Sequence, residues 1–390
     1  MKAVINAHII TCDENEGEFF GYVTYDGGKI VSVSKGDYKP SGDEEEITDA
    51  RGGYVLPGLI DAHTHLGNSG DASGFESDDI NDINDPCTPH FSSLDSVNPF
   101  DRCFEDARNA GVTTVLTGPG SANALGGSFI AVKTDGKRID KMILRAPCSM
   151  KMALGENPKM CYHEKDESPE TRMATAAIIR EALKKASRYL EAVEQSESDE
   201  NADPPEFDAK CEALLPVLRR EIPLHIHAHR ADDIFTGIRI AKEFSLDYVL
   251  VHCTEGHLIA RELKEENARV MSGPFFCDRS KPELRELTPA CAGILEKEGV
   301  EVSIITDHPV TPIQYLILCA SLAVKNGMSR QGAINAVTIN PAKFAGISDR
   351  VGSITPGKDA DLAVYSGDPL DFYSKTVFVA INGRTVKNEL

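Results

Sequence analysis

Eight short apolar runs recur through the centre of this chain, and their spacing constrains the fold more than any single motif. They are LPGLIDAHTH, GVTTVLTG, SFIAVKT, a fourth around SMKMALG, then PLHIHA, YVLVHC, ARVMSG and VSIITD. Helix-type stretches separate several of them, over Thr171 to Glu194, Asp232 to Phe244 and Gly256 to Glu266. Short runs rich in β-branched residues and bounded by turn residues read as strands, whereas longer stretches with apolar residues three and four apart read as helices. Eight such alternations over about 250 to 300 residues meet the requirement of a TIM-type (β/α)8 barrel, an α/β fold whose chemistry sits at the carboxyl ends of the strands.

The two ends of the chain differ from its centre. Residues 1–54 carry AVINAHIIT, GYVTY and KIVSVS, with DGG as a hairpin turn, and the segment from Asp361 repeats the pattern in DLAVYSG and VFVAINGRTV. The expected organisation is a small composite β-sandwich domain built from residues 1–54 and 358–390, around a barrel over 55–357.

Charge and composition exclude several functions. With 41 Lys and Arg against 61 Asp and Glu, the formal charge of −20 disfavours a phosphate backbone, so nucleic acid is not an expected partner. No run approaches the roughly 18 apolar residues of a membrane span, and the first residues lack the apolar core of a signal peptide, so a cytoplasmic location is expected. Ten cysteines are scattered rather than set at CxxC spacing, which predicts reduced thiols. The acidic stretch SESDENADPPEFD reads as a solvated loop without chemistry.

The unusual polar residues fall at predicted strand ends. His63 and His65 close the first strand, and a spacing of two puts both imidazoles on one face. Lys151 and Glu156 occupy or follow the fourth strand, His227 and His229 the fifth, His252 the sixth and Asp307 the eighth. Imidazoles with carboxylates suit zinc or a similar divalent ion with positions open to water and substrate, a catalytic rather than a structural pattern. Taken alone, Asp307 could merely cap a helix, and isolated strand histidines such as His8 and His225 read as structural.

The segments LPGLIDAHTHLG, HAHR, VHC, ITDHP and NPAKFAGISDRVGSITPGKDADLAVY resemble the metal-dependent amidohydrolase superfamily, especially its imidazolonepropionase-like and prolidase-like branches. The resemblance spans nearly the whole chain. It implies a barrel with a composite β-sandwich, one or two divalent ions with zinc favoured, and hydrolysis of an amide, cyclic amide or amidine-type bond in a small molecule. Carried over by position, His63 and His65 would hold the more buried ion and His227 and His252 the second or shared one. Asp307 would ligate metal, take a proton from the metal-activated water and return it to the leaving nitrogen. In HAHR either histidine could be the ligand; His227 is preferred, with His229 and Arg230 nearer the substrate. The bridging position is open between Lys151, carboxylated by carbon dioxide, and Glu156.

Substrate signals are fewer. DINDPCTPHF, with Asp82, Asp85 and His90, is long enough to fold over the barrel mouth, with His90 a candidate substrate contact, and GPGSANALGGS could bring backbone amides close to a ligand. Lys133, Lys159 and Arg230, near predicted strand ends, are candidates to bind a substrate carboxylate, which would make the substrate anionic. Homo-oligomerisation is expected by analogy alone. The alternatives are a prolidase-like dipeptidase or carboxypeptidase on the same scaffold, and a noncatalytic scaffold that has lost its metal. A deaminase ranks lower because no His-x-x-Glu pattern directly follows HAHR.

Overall fold

The computed structural model describes residues 1–40, 46–70 and 74–390. The N-terminal end supplies β1 (Lys2–Asp13), β2 (Glu16–Asp26), β3 (Lys29–Lys35), β4 (Glu46–Asp49) and β5 (Tyr54–Pro57). The centre supplies β6 (Leu59–Thr64), β7 (Val112–Thr117), β8 (Leu125–Lys133), β9 (Ile143–Ala153), β10 (Leu224–Ala228), β11 (Tyr248–His252), β12 (Arg269–Ser272) and β13 (Glu301–Ile304). The C-terminal end adds β14 (Leu362–Tyr365), β15 (Thr376–Ile381) and β16 (Arg384–Asn388).

Hydrogen bonding links the terminal strands into one sheet in the order β16-β15-β14-β5-β1-β2-β3, with β4 beside β1. The predicted DGG hairpin forms between β2 and β3, where Gly27 and Gly28 both take positive φ, as a two-residue turn between twisted strands requires. Val4, Ile9, Val23, Val55, Leu362, Val364 and Phe378 bury one shared apolar cluster, so residues from opposite ends of the sequence depend on each other for burial. Tyr54–Pro57 pair with β14 and β1, and the chain leaves this sheet at Gly58.

All eight central runs form strands, in the order β13-β12-β11-β10-β9-β8-β7-β6. The expected uniform β/α alternation does not hold. β8 runs antiparallel to both β7 and β9, and no α-helix lies in residues 118–124 or 134–142. A parallel crossover needs about a dozen residues or more, and these connections are too short for one. The chain therefore turns back twice, and the carboxyl end of β8 lies at the opposite rim from the carboxyl ends of its neighbours.

Strand β13 meets β6 without a regular ladder. That seam is stitched by backbone bonds beyond the strand ends, from His65 N to His308 O (2.8 Å) and from Asp307 N to His63 O (3.2 Å). Asp61 reinforces it from inside: one carboxylate oxygen accepts from Thr306 N at 3.1 Å and Thr306 Oγ1 at 2.5 Å, and the other from His63 N at 3.2 Å. Thus the first and last barrel strands are locked together at the residues that carry His63, His65 and Asp307.

Outside the barrel, helices form at Arg172–Ser198, capped by the Thr171 side chain, and at Ala231–Glu243. The stretch after His252 divides into a short 3-10 turn, Gly256–Leu258, and the helix Ala260–Glu265. Among the described residues no helix is long and apolar enough to cross a membrane.

Lys133 illustrates what strand direction changes. At the end of antiparallel β8 it faces the terminal sheet rather than the mouth, buried against Asp361 and 3.1 Å from Asp359 Oδ2. Asp359 also contacts Lys29 (2.7 Å) and Arg350 (2.9 Å). The expected role of Lys133 as a substrate-carboxylate ligand is therefore replaced by a paired charge cluster joining barrel to sheet.

Candidate metal centre

Strand periodicity builds the site as the spacing predicts. His63 is the penultimate residue of β6 with His65 two residues on, and His227 lies in β10 with His229 two residues on, so each pair shares a face. His252 closes β11 with φ 69° and Asp307 follows β13 with φ 51°, both in the left-handed region that residues other than glycine seldom occupy. Such backbone strain persists where surrounding structure holds it and concentrates at functional sites.

Two trios result. His227, His229 and His252 bring one potential ligand atom each to within 4.8 Å of the others, and His63, His65 and Asp307 do the same. They adjoin through His252, whose ring centroid lies 5.8 Å from that of His63 and 4.6 Å from those of His227 and His229.

Ring orientation is set from behind. His65 Nδ1 lies 2.7 Å from Gly118 O and His252 Nδ1 2.8 Å from Gly273 O. A carbonyl only accepts, so each Nδ1 carries the proton and, in the neutral ring, Nε2 keeps its lone pair. His227 Nδ1 meets Ser121 Oγ at 2.9 Å and His229 Nδ1 meets Thr254 Oγ1 at 2.7 Å. Anchoring one ring nitrogen this way is how proteins orient a histidine whose other nitrogen binds metal. His227 Nε2 is buried and lacks a hydrogen bond, which is costly without a partner of another kind.

Electrostatics favour the same state. Burial holds His63, His227 and His229 well below the ordinary imidazole range, and neighbouring cations and imidazoles push the same way. Burial also lowers His252, to about 4, although Asp307 opposes the shift. Neutral imidazole is the form that can ligate a cation. Asp307 Oδ1 lies 3.3 Å from His65 Nε2 and 3.6 Å from His63 Nε2. Burial would raise its carboxyl, but His252 and His65 outweigh that and keep it below the usual range. Lys151 is fully buried, with Nζ 3.0 Å from His63 Nε2, and burial lowers it to about 7.

The histidines open into a cleft of about 350 Å³, lined also by Ser121, Asn157, Thr254, Cys277, Lys281 and Asp307. Of the loops expected over the mouth, GPGSANALGGS contributes Ser121, whereas Ile80 and Asn81, just before DINDPCTPHF, reach the cleft. His90 stands beside a neighbouring hollow with Asp79, Asp82 and Asp95.

Three expected site residues are not brought to the trios. Glu156 begins the helix Glu156–His163, and its Oε2 lies 3.4 Å from Glu283 N. Arg230 turns outward, its guanidinium donating to both oxygens of Asp232 at 2.9 and 2.8 Å, beside a separate pocket that also receives Lys159. His90 is the third. Conversely, His229 joins the trio itself.

Sequence reasoning missed Glu283 and Lys281. Glu283 is buried, with Oε1 3.5 Å from His229 Nε2, 3.9 Å from His227 Nε2 and 2.6 Å from Lys281 Nζ. Burial disfavours its charge, yet His229 and Lys281 hold its carboxyl below the ordinary range. Both residues lie in DRSKPELRE, whose mixed charge is that of a surface loop. The only local signal is Pro282, which opens the short turn Pro282–Leu284.

Residues 54–388 match the amidohydrolase family. The chain is 29% identical to the amidohydrolase tasK of Hapsidospora irregularis over 96% of its own length, spanning 41% of that longer protein. It is 27% identical to the imidazolonepropionase of Thermoplasma acidophilum, over 88% of this chain and 82% of that one. Among solved structures, an amidohydrolase from Thermotoga maritima covers both chains completely at 39% identity with a TM-score of 0.95. A Xaa-Pro dipeptidase covers 99% of this chain and 100% of its own at 18% identity and a TM-score of 0.58, a likeness of fold. A family match over most of the sequence, joined to a close relative that superposes along its whole length, establishes that this chain belongs to the amidohydrolase family.

Proposed function

We propose that the protein is a metal-dependent hydrolase that cleaves a non-peptide carbon–nitrogen bond, an amide or cyclic amide, in a small molecule. The carrying observation is that His65, His227, His229 and His252 are each fixed through Nδ1, leaving Nε2 for a shared cleft. The donor set fits one or two divalent ions, with zinc favoured by the imidazole-rich surroundings. His63, His65 and Asp307 would hold one, and His227 and His252, with His229 beside them, the other. A divalent ion there supplies Lewis acidity toward a carbonyl and lowers the pKa of water.

The remaining work falls to the chain. Asp307, ionised at neutral pH, accepts a proton from the attacking water and delivers it to the departing nitrogen. Asp61 fixes Asp307 indirectly, by holding Thr306. Lys151 is the better candidate for the bridging position, as a carbamate formed with carbon dioxide, because Glu156 points elsewhere. The similarity to imidazolonepropionases favours a cyclic amide over a dipeptide.

The test pairs metal content with turnover on protein loaded with zinc or manganese and bicarbonate. Substrates would be imidazolone propionate, N-acyl amino acids and Xaa-Pro dipeptides. Metal together with turnover of the first two classes is expected. Turnover of dipeptides alone would transfer the assignment to a prolidase-like peptidase. Failure to retain metal under any loading would sink the hydrolase in favour of a noncatalytic scaffold. A bicarbonate-dependent mass increase of one carbon dioxide, lost in Lys151→Met, would identify the carbamate.

A further inference from the structure

We propose that Lys281 is the anchor for a substrate carboxylate, so that the cleft takes a small monoanionic amide carrying an apolar arm. The inference rests on the reading of this cleft as the substrate site and specifies its substrate class.

Lys281 is the one lysine or arginine lining the histidine cleft among the described residues. Its placement is fixed from behind: Nζ donates to Asn157 Oδ1 at 2.5 Å and lies 2.6 Å from Glu283 Oε1. Glu283 is itself immobilised, with a side chain 1% exposed and Oε2 accepting from Glu156 N at 2.9 Å. An ammonium has three donors, and these two contacts leave one for the cleft, where the side chain is 25% exposed. Glu283 Oε1, which Lys281 Nζ contacts, lies 3.5 Å from His229 Nε2 and 3.9 Å from His227 Nε2, so the ammonium stands beside the histidines.

The surrounding groups define the partner further. Asp278 and Asp307 line the same cleft and Glu283 stands behind it, so a dianion would meet more repulsion from these carboxylates than a monoanion does. Leu284, Leu287, Val310, Pro274 and Ile80 supply apolar wall for the rest of the molecule. The volume of about 350 Å³ is that of a small-molecule pocket. Lys281 thus takes the role for which Lys133, Lys159 and Arg230 are the candidates in the sequence; the Arg230 guanidinium is held by Asp232 outside the cleft.

The test uses zinc-loaded full-length protein with N-acetyl-L-leucine and its neutral counterpart N-acetyl-L-leucinamide, measuring binding by calorimetry and hydrolysis by amine release. The acid should bind about tenfold or more tightly than the amide, the worth of one charge-assisted contact. Lys281→Met and Lys281→Gln should remove that preference with metal content retained, raising KM for the acid more than they lower kcat. Lys281→Arg should keep most of it. Equal binding of acid and amide, or a preference that survives both neutral variants, overturns the anchor, since the carboxylate would then be held by metal. Hydrolysis without a Lys281-dependent preference defeats this inference alone. A Lys281-dependent preference without hydrolysis of either probe upholds the anchor and counts against the hydrolase.

Discussion

Two buried polar clusters occupy opposite rims of the barrel, and they differ in whether their groups satisfy one another. At the rim facing the terminal sheet, Lys133 meets Asp359 and Asp361, Asp359 also meets Lys29 and Arg350, and Asp361 accepts from Asn382 N. Charge is matched by charge. At the other rim the imidazoles are fixed on one side only, and His227 Nε2 is buried without a hydrogen bond. A buried polar group lacking an internal partner calls for an explanation, and among clustered imidazoles a bound ion supplies one. Both clusters contain a strand-end cation that looks functional in the sequence, Lys133 in one and Lys151 in the other, and only their partners tell them apart.

The comparison can be broken in order of effect. The strongest challenge is Asp307→Asn, expected to lower turnover by roughly 10²–10⁴-fold while substantial metal remains by elemental analysis; near-normal turnover would remove Asp307 from proton transfer. Chelation comes next. Stripping metal should abolish turnover, and restoring it at about 100 times its Kd should stabilise the fold by roughly 2.7 kcal/mol, read as a rise in Tm; unchanged turnover after complete stripping would end the metal assignment.

At the opposite rim, Lys133→Met should cost about 3–5 kcal/mol of stability, because it leaves buried carboxylates less well compensated. Activity per folded molecule should stay near wild type, and selective loss of kcat at unchanged stability would show that the two rims are not separable. The same cluster predicts an acid limb. Burial raises the Asp359 carboxyl, but Lys133 and Lys29 outweigh it, and the folded group sits below its ordinary 3.8. Its stabilisation is complete above that unfolded value and is lost as pH falls through the folded one. Urea midpoints should therefore fall more steeply below pH 4 in wild type than in Asp359→Asn, and parallel curves would contradict the linkage. The smallest effect belongs to Glu156→Gln, expected within about 0.5 kcal/mol in stability and with metal content unchanged; loss of metal would reinstate Glu156 as a ligand.

Much of this organisation is written in local spacing. The alternation of two placed His63 with His65 and His227 with His229, and DGG announced its hairpin. The short connections around β8 also carried a usable signal, since residues 118–124 and 134–142 cannot house a crossover helix. Arg230 was harder: a strand-end cation beside two histidines has the right address, yet Asp232 two residues on claims its guanidinium. Glu283 and Lys281 had no periodic pattern to reveal them, because an irregular loop brings Lys281 to the cleft and Glu283 to the back of the histidines.

The chain's own order of residues determined which segments become strands, that the two ends share one β-rich character, and which imidazoles travel in pairs. These follow from periods of two and from turn residues, interactions among neighbours in sequence. The direction of β8, the placing of His252 between its own trio and His63, the burial of Lys133 among distant aspartates and the arrival of Lys281 beside the histidines were decided only in the tertiary structure. Each depends on groups tens to hundreds of residues apart whose desolvation is compensated only after the barrel closes, and no local pattern encodes which partner will be there.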